Sequence, residues 1–198
     1  MRFMIFNGSL KKPEVSNTYA VCEMVQAQFN NLGAETRIVT MNEIDYECGT
    51  DDYNDELKPI ILDFLKNYDG MIFATPIWWG LHSGYISSVI ERFDYIDGWS
   101  RDNNFYPNYN KVFGCVVSGG GDGFQHINGM MFNFATQLGF TIPPRAYVES
   151  KAQGRDEIAK DQDTLDQVQR FCQNMFVYAT LIRGTEPGRY AQHKQTDK

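Results

Sequence analysis

The chain alternates short apolar runs with amphipathic stretches five times, and this alternation restricts the fold more than any single motif. Residues 2–6, "RFMIF", read as a short buried strand. "SNTYAVCEMVQAQFNNLG" then places apolar residues at helical spacing, and Gly33 stops the run as a helix terminus would. "AETRIVTM" reads as a second strand, and "DYNDELKPIILDFLKNYDG" as a second helix with Pro59 near its start. "MIFATP" is apolar on both faces, as a central parallel strand should be. "HSGYISSVIERFDYI" reads as the third helix, and residues 98–110, "GWSRDNNFYPNYN", as a polar and aromatic loop. "KVFGCVVSGGG" is a fourth strand ending in glycines, and "FQHINGMMFNFATQLGF" a fourth helix. "TIPPRAYVES" holds a fifth strand, "DEIAKDQDTLDQVQRFCQNMFVYATLIRG" reads as one long final helix, and residues 185–198 form a polar tail.

Five strand–helix alternations predict an α/β doubly wound parallel sheet with helices on both faces. No repeat or linker divides the chain, so residues 1–184 are expected to form one domain. In such sheets ligands bind beyond the carboxyl ends of the strands, where the strand order reverses. The loops to inspect are therefore Asn7–Ser16, Pro76–Ser83 and Ser118–Phe124. Composition excludes some partners. With 25 acidic against 18 basic residues the net charge is −7, which repels nucleic acid and anionic membrane surfaces. Cys22, Cys48, Cys115 and Cys172 are widely spaced without a CxxC pair, so neither a disulfide framework nor a metal site is expected. The chain has no 18-residue apolar run, and "MRFMIFNG" is too short for a signal peptide, so a cytoplasmic location is expected.

The first loop, "NGSLKKPEVSNT", concentrates small hydrogen-bonding groups between a strand and a helix. Ser16 occupies the helix N-cap position, with Asn17 and Thr18 in the first turn. Free N–H groups and the positive end of the helix dipole attract an anion there. Hydroxyls of Ser9, Ser16 and Thr18 and the Asn17 amide add donors, a set that suits a phosphate monoester. The loop matches neither GxxxxGK[ST] nor GxGxxG. The same residues also describe an ordinary capped helix. In the second loop, "TPIWWGLHSG", Pro76 stiffens the chain and Gly80 permits a tight turn. Trp78 and Trp79 suit a planar ligand or a partner subunit, and N–H groups from Ile77 to Gly80 are available to a heteroaromatic ring. The third loop, "SGGGDGF", lets backbone approach a flat ligand edge or simply makes a tight turn. Together the loops describe a phosphorylated aromatic ring system.

"GSLKKPEVSNT", "ATPIWWGLHSGYISSVIERF" and "SGGGDG" resemble, in that order, the motifs of the FMN-binding, flavodoxin-like NADPH-dependent FMN reductases and related multimeric flavodoxins. The resemblance covers about residues 1–150 and implies a five-stranded sheet of order 2-1-3-4-5. By position it implies that Ser9, Lys11, Ser16, Asn17 and Thr18 hold the FMN phosphate. It implies that Pro76, Ile77, Trp78, Trp79 and Gly80 face the isoalloxazine. It implies that Ser118, Gly119, Gly120, Gly121 and Gly123 line the pyrimidine side. Lys11 stands where the family often has Arg, and Ser87 stands where its third helix usually has Lys. "EIDYECGTDDYNDELKPI" resembles the end of the cysteine-rich insertion of iron–sulfur flavoproteins, but only Cys48 remains, and a four-iron cluster needs four thiolates.

The resemblance implies an oxidoreductase that passes hydride from NADPH or NADH through FMN to a quinone, a flavin or another acceptor. It also implies a homodimer or homotetramer. The flavin carries the chemistry, so no catalytic side chain is assigned. His82 and His126 are placed to donate a proton or to serve structurally. The aromatic segment with Trp99, Phe105, Tyr106 and Tyr109 suits a cover over a neighbouring subunit's site. Two other functions are compatible with the sequence. One is a flavodoxin-type electron carrier that docks its acidic surface on redox partners. The other is a homologue that has lost the flavin.

Overall fold

The computed structural model describes residues 1–185. Five parallel strands form one sheet in the order β2-β1-β3-β4-β5. They are β1 (Arg2–Asn7), β2 (Glu35–Thr40), β3 (Gly70–Pro76), β4 (Val112–Ser118) and β5 (Tyr147–Ser150). The helices are α1 (Asn17–Asn31), α2 (Leu57–Asn67), α3 (Gly84–Asn103), α4 (Phe124–Gln137), α5 (Arg155–Ile158) and α6 (Gln162–Ile182). Parallel crossovers are right-handed, so the direction of each step along the sheet selects the face its helix covers. The step from β1 out to β2 puts α1 on one face, and the steps from β2 through β3 to β5 put α2, α3 and α4 on the other.

Side chains alternate across each strand and feed two cores. Phe3 and Ile5 of β1 pack with Val21, Val25 and Phe29 of α1 and with Phe171 and Met175 of α6. Met4 and Phe6 pack with Phe64 of α2, Phe93 of α3 and Met131 of α4. The three inner strands, β1, β3 and β4, are buried on both faces, which is why "MIFATP" shows no polar alternation. After β1 the chain leaves in one direction and after β3 in the other, which opens a crevice between their carboxyl ends.

Three element boundaries differ from the sequence reading. Residues 98–103, expected in a loop, are the last turns of α3, which ends where Asn104 turns left-handed at φ 48°. Ile96 and Ser100 are buried there, and the Ser100 hydroxyl donates to the Ile96 carbonyl at 2.7 Å. The final helix is two helices, because Asp161 accepts from the Thr164 N–H at 2.9 Å and starts α6 afresh. The second helix starts at Leu57, where Asp55 Oδ1 accepts from the N–H groups of Leu57 and Lys58, both at 3.1 Å. Pro59 is harmless in that first turn, whose N–H groups have no helical partner.

Asp55 also binds the buried Arg92 of α3 through both guanidinium nitrogens, at 3.1 and 2.8 Å. Burial pushes its pKa up. The Arg92 bonds and the N–H groups of Glu47 and Lys58 outweigh burial and hold it at about 2. This pair ties the segment before α2 to α3. Cys48, in that segment, is exposed, and Cys22, Cys115 and Cys172 are buried. Among the described residues no helix is long and apolar enough to cross a membrane. Apart from Thr185, the tail expected at 185–198 lies outside the described residues.

Candidate functional site

The crevice between β1 and β3 contains a cleft of about 280 Å³. Its walls are Ser9, Leu10, Lys11, Ser16, Asn17 and Thr18 from the first loop, Pro76, Ile77 and Trp78 after β3, Ser118, Gly119 and Gly120 after β4, and Gln153 after β5. All three loops singled out in the sequence therefore meet. Trp79, Gly80, Gly121 and Gly123 are outside this lining. Leu10 and Gln153 belong to it without having been expected.

Ser16 caps α1, its hydroxyl accepting from the Tyr19 N–H at 3.0 Å. The same hydroxyl donates to Ser9 Oγ at 2.7 Å, so two buried hydroxyls are fused into one polar patch. Thr18 Oγ1 and Ser118 Oγ are 2.7 Å apart, which joins the first loop to the end of β4. The N–H groups of Asn17 and Thr18 belong to the helix turn that has no intrahelical acceptor. The Asn17 side chain is committed elsewhere: its amide donates to Gln153 at 3.0 Å and accepts from the Gly154 N–H at 3.1 Å.

After β3 the chain makes a two-residue hairpin. Trp78 N–H donates to the Leu81 carbonyl at 2.8 Å, and Leu81 N–H returns to Trp78 at 2.9 Å. Ile77 N–H donates to Ser118 O at 2.9 Å. Two of the N–H groups expected to face a ring are thus used by the protein itself. The turn residues Trp79 and Gly80 lie at φ 52° and 79°. Left-handed backbone is uncommon for a bulky residue, and Trp79 is 99% exposed, so burial of its ring does not offset the strain. Gly123 presses against this turn: a Cβ there would come within 2.5 Å of Gly80 Cα. That contact gives Gly123 a packing reason to be glycine, whereas Gly80 has open space around it and is favoured by its left-handed φ of 79°. Gly119 packs on Ile77 in the same manner, whereas Gly120 opens onto free space.

His82 follows the hairpin, with Nε2 3.1 Å from Ser87 Oγ. Burial, and next the charge of His126, lower its pKa, so its ring is neutral at pH 7. Ser87 is thereby occupied as the imidazole's partner.

Residues 1–154 match the NADPH-dependent FMN reductases. The chain belongs to that family. Among curated proteins it is 27% identical over 158 residues to 8-demethyl-8-aminoriboflavin-5'-phosphate synthase of Streptomyces davaonensis, covering 74% of this chain. The chain spans 62% of the length of that relative. Among solved structures, RosB with bound 8-demethyl-8-formylriboflavin-5'-phosphate superposes with a TM-score of 0.79 at 24% identity, over 93% of this chain and 81% of that one. The apo form of the NADH:FMN oxidoreductase EMOB gives 0.67 at 16% identity, over 98% and 96%. These structural likenesses show a shared flavodoxin-like fold.

The cleft of this FMN reductase family member suits a ribityl phosphate joined to a flat ring. The N–H groups of Asn17 and Thr18 with Lys11 match the acceptor-only chemistry of a phosphate dianion, beside the Ser16 and Ser9 hydroxyls whose protons go to Ser9 Oγ and the Lys11 carbonyl. Ile77, Trp78, Gly119 and Gly120 of the same lining present apolar surface and bare backbone. The Asn7 Nδ2 atom at the end of β1 and the Ser83 Oγ atom at the N-cap of α3 are buried and have no hydrogen-bond partner among the described residues, and neither residue lines the cleft.

Proposed function

We propose that the protein is an FMN-dependent NAD(P)H oxidoreductase whose acceptor is a quinone, a free flavin or a related small molecule. The observation that carries this reading is the hydroxyl and N–H cluster at the start of α1, opposite an aromatic and glycine wall in one crevice. FMN, when bound, supplies reversible hydride chemistry. Ser9, Ser16, Thr18 and Lys11 would hold its phosphate, and Pro76–Trp78 with Ser118–Gly120 would hold the ring edges. Trp78 lines the cleft, and His82, outside that lining, is hydrogen-bonded to Ser87 through Nε2. The family and the protein EMOB support a nicotinamide donor, either NADPH or NADH. A homodimer or homotetramer is proposed with it.

A second reading treats the flavin phosphate as a substrate that comes and goes. The name of the Streptomyces relative favours it, as does a cleft of about 280 Å³, just under the ~300–1,000 Å³ typical of ligand sites. The first test is an absorption spectrum of purified protein before and after FMN addition and desalting, followed by NADH and NADPH oxidation with quinone and flavin acceptors. Flavin retained through desalting with turnover supports the oxidoreductase. Flavin lost on desalting but consumed in the assay supports the substrate reading. No uptake of flavin overturns both.

A further inference from the structure

The first loop contains one wall of the cleft, yet little of its own packing holds it. Leu10, Lys11, Lys12, Glu14 and Val15 are exposed. Ser16 Oγ ties its end to Ser9 Oγ at 2.7 Å, but between Lys12 and Ser16 its backbone bonds are short turns, Val15 N–H to Lys12 O at 3.1 Å and Ser16 N–H to Pro13 O at 3.4 Å. The firmest external anchors come from the opposite end of the chain. Arg155, the first residue of α5, donates from Nη1 to the Pro13 carbonyl at 2.7 Å and from Nη2 to the Glu23 carboxylate of α1. Next to it, Gly154 N–H and the Gln153 side chain take both ends of the Asn17 amide, at 3.1 and 3.0 Å. One short segment therefore grips the loop before α1, the first turn of α1 and its second turn.

Arg155 lies one residue past the part of the chain that matches the family. It does not line the cleft. Glu23 balances its charge, so it is not a free cation for an anionic ligand. What remains is its geometry, a rigid planar fork that bridges two acceptors on different elements. Donors that bind an anion are most effective when they are ordered beforehand, because a loop that orders on binding subtracts that entropy from the affinity.

We propose that residues 153–155 are a clamp that preorganises the first loop, with Arg155 as a positioning residue that sets the preference for phosphorylated over unphosphorylated flavin. This rests on the reading that FMN occupies the cleft with its phosphate at the first loop. The contacts that would serve the ring, Pro76–Trp78 and Gly119–Gly120, do not touch the clamp in sequence, so its loss falls on the phosphate end.

The test measures FMN and riboflavin affinity by titration of flavin-free wild type, Arg155→Ala and Arg155→Lys. In Arg155→Ala, FMN affinity falls on the order of tenfold while riboflavin affinity holds, so the ratio collapses. Lys keeps the charge but cannot bridge Pro13 and Glu23 together, and it leaves the ratio low. Amide exchange across residues 9–16 of the flavin-free protein rises in both variants. An unchanged ratio in Arg155→Ala overturns the proposal. So does an equal loss of both ligands, or full recovery by Lys, which would make the role structural or purely electrostatic. A wild type that takes up no FMN at all overturns the reading of the cleft itself, and the proposal with it.

Discussion

Lys111 shows what one residue can do far from the cleft. It lies just before β4 with 7% of its surface exposed, and its ammonium donates to the Tyr68 carbonyl at 2.6 Å. Burial lowers its pKa from 10.5 to about 8, against the opposing pull of Asp69. Between those values the unfolded chain binds more protons than the folded one, so this residue makes stability rise with pH through that window. The ceiling is about 3 kcal/mol. The buried thiols of Cys22 and Cys172 act with the opposite sign, because burial raises their pKa and folding then resists their ionisation above pH 9. Urea unfolding of wild type and Lys111→Met from pH 7.5 to 10.5 separates the two: the wild type gains stability relative to the variant as pH rises. Parallel curves would refute the assignment. At this scale the sequence was legible where a local rule applies. Ser16 reads as a cap because it precedes an amphipathic run. Gln153 and Arg155 were invisible because their partners lie more than a hundred residues away, and no spacing rule spans that distance.

Among the elements, the junction of α2 and α3 carries the clearest energetic consequence. Asp55 starts α2 and pairs with Arg92 of α3, both nearly buried. Removing one partner of a buried pair leaves the other charge without compensation, which typically costs about 3–5 kcal/mol. Arg92→Ala is expected to lower the urea midpoint accordingly. Adding Asp55→Asn to it recovers part of the loss, since a neutral amide oxygen still accepts from Leu57 and Lys58. Equal midpoints for wild type and Arg92→Ala would show that the pair contributes nothing net. The element boundaries misread in sequence have different causes. The run at 98–103 is polar in composition, yet tertiary burial of Ile96 and Ser100 extends α3 through it. By contrast, apolar periodicity continues across residues 159–161, and only the Asp161 cap reveals the break between α5 and α6.

For the molecule as a whole, alternation pointed to the loops at the carboxyl ends of the strands, and the family resemblance supplied the strand order that locates the crevice, because crossover handedness couples helix face to strand order without fixing that order. The same rule does not say which residues of three converging loops face inward. Trp79 and Gly123, expected at a ligand, lie outside the cleft lining, Trp79 in the hairpin turn that borders it and Gly123 packed against that turn. If that cleft binds FMN only in the folded state, binding must stabilise the entire fold through mass action. Each tenfold rise in free FMN above its dissociation constant adds about 1.4 kcal/mol. For a chain of this length that corresponds to a melting-temperature increase of about 3–6 °C per decade. Differential scanning fluorimetry on flavin-free protein, with unfolding followed by an extrinsic dye, reads this directly. Riboflavin, which lacks the phosphate, should begin to raise the melting temperature only at higher concentration. The displacement between the two curves measures the part of the affinity that belongs to the first loop. Coincident curves would mean that the hydroxyl cluster is only a helix cap, and a melting temperature indifferent to both ligands would mean that the crevice has no flavin function.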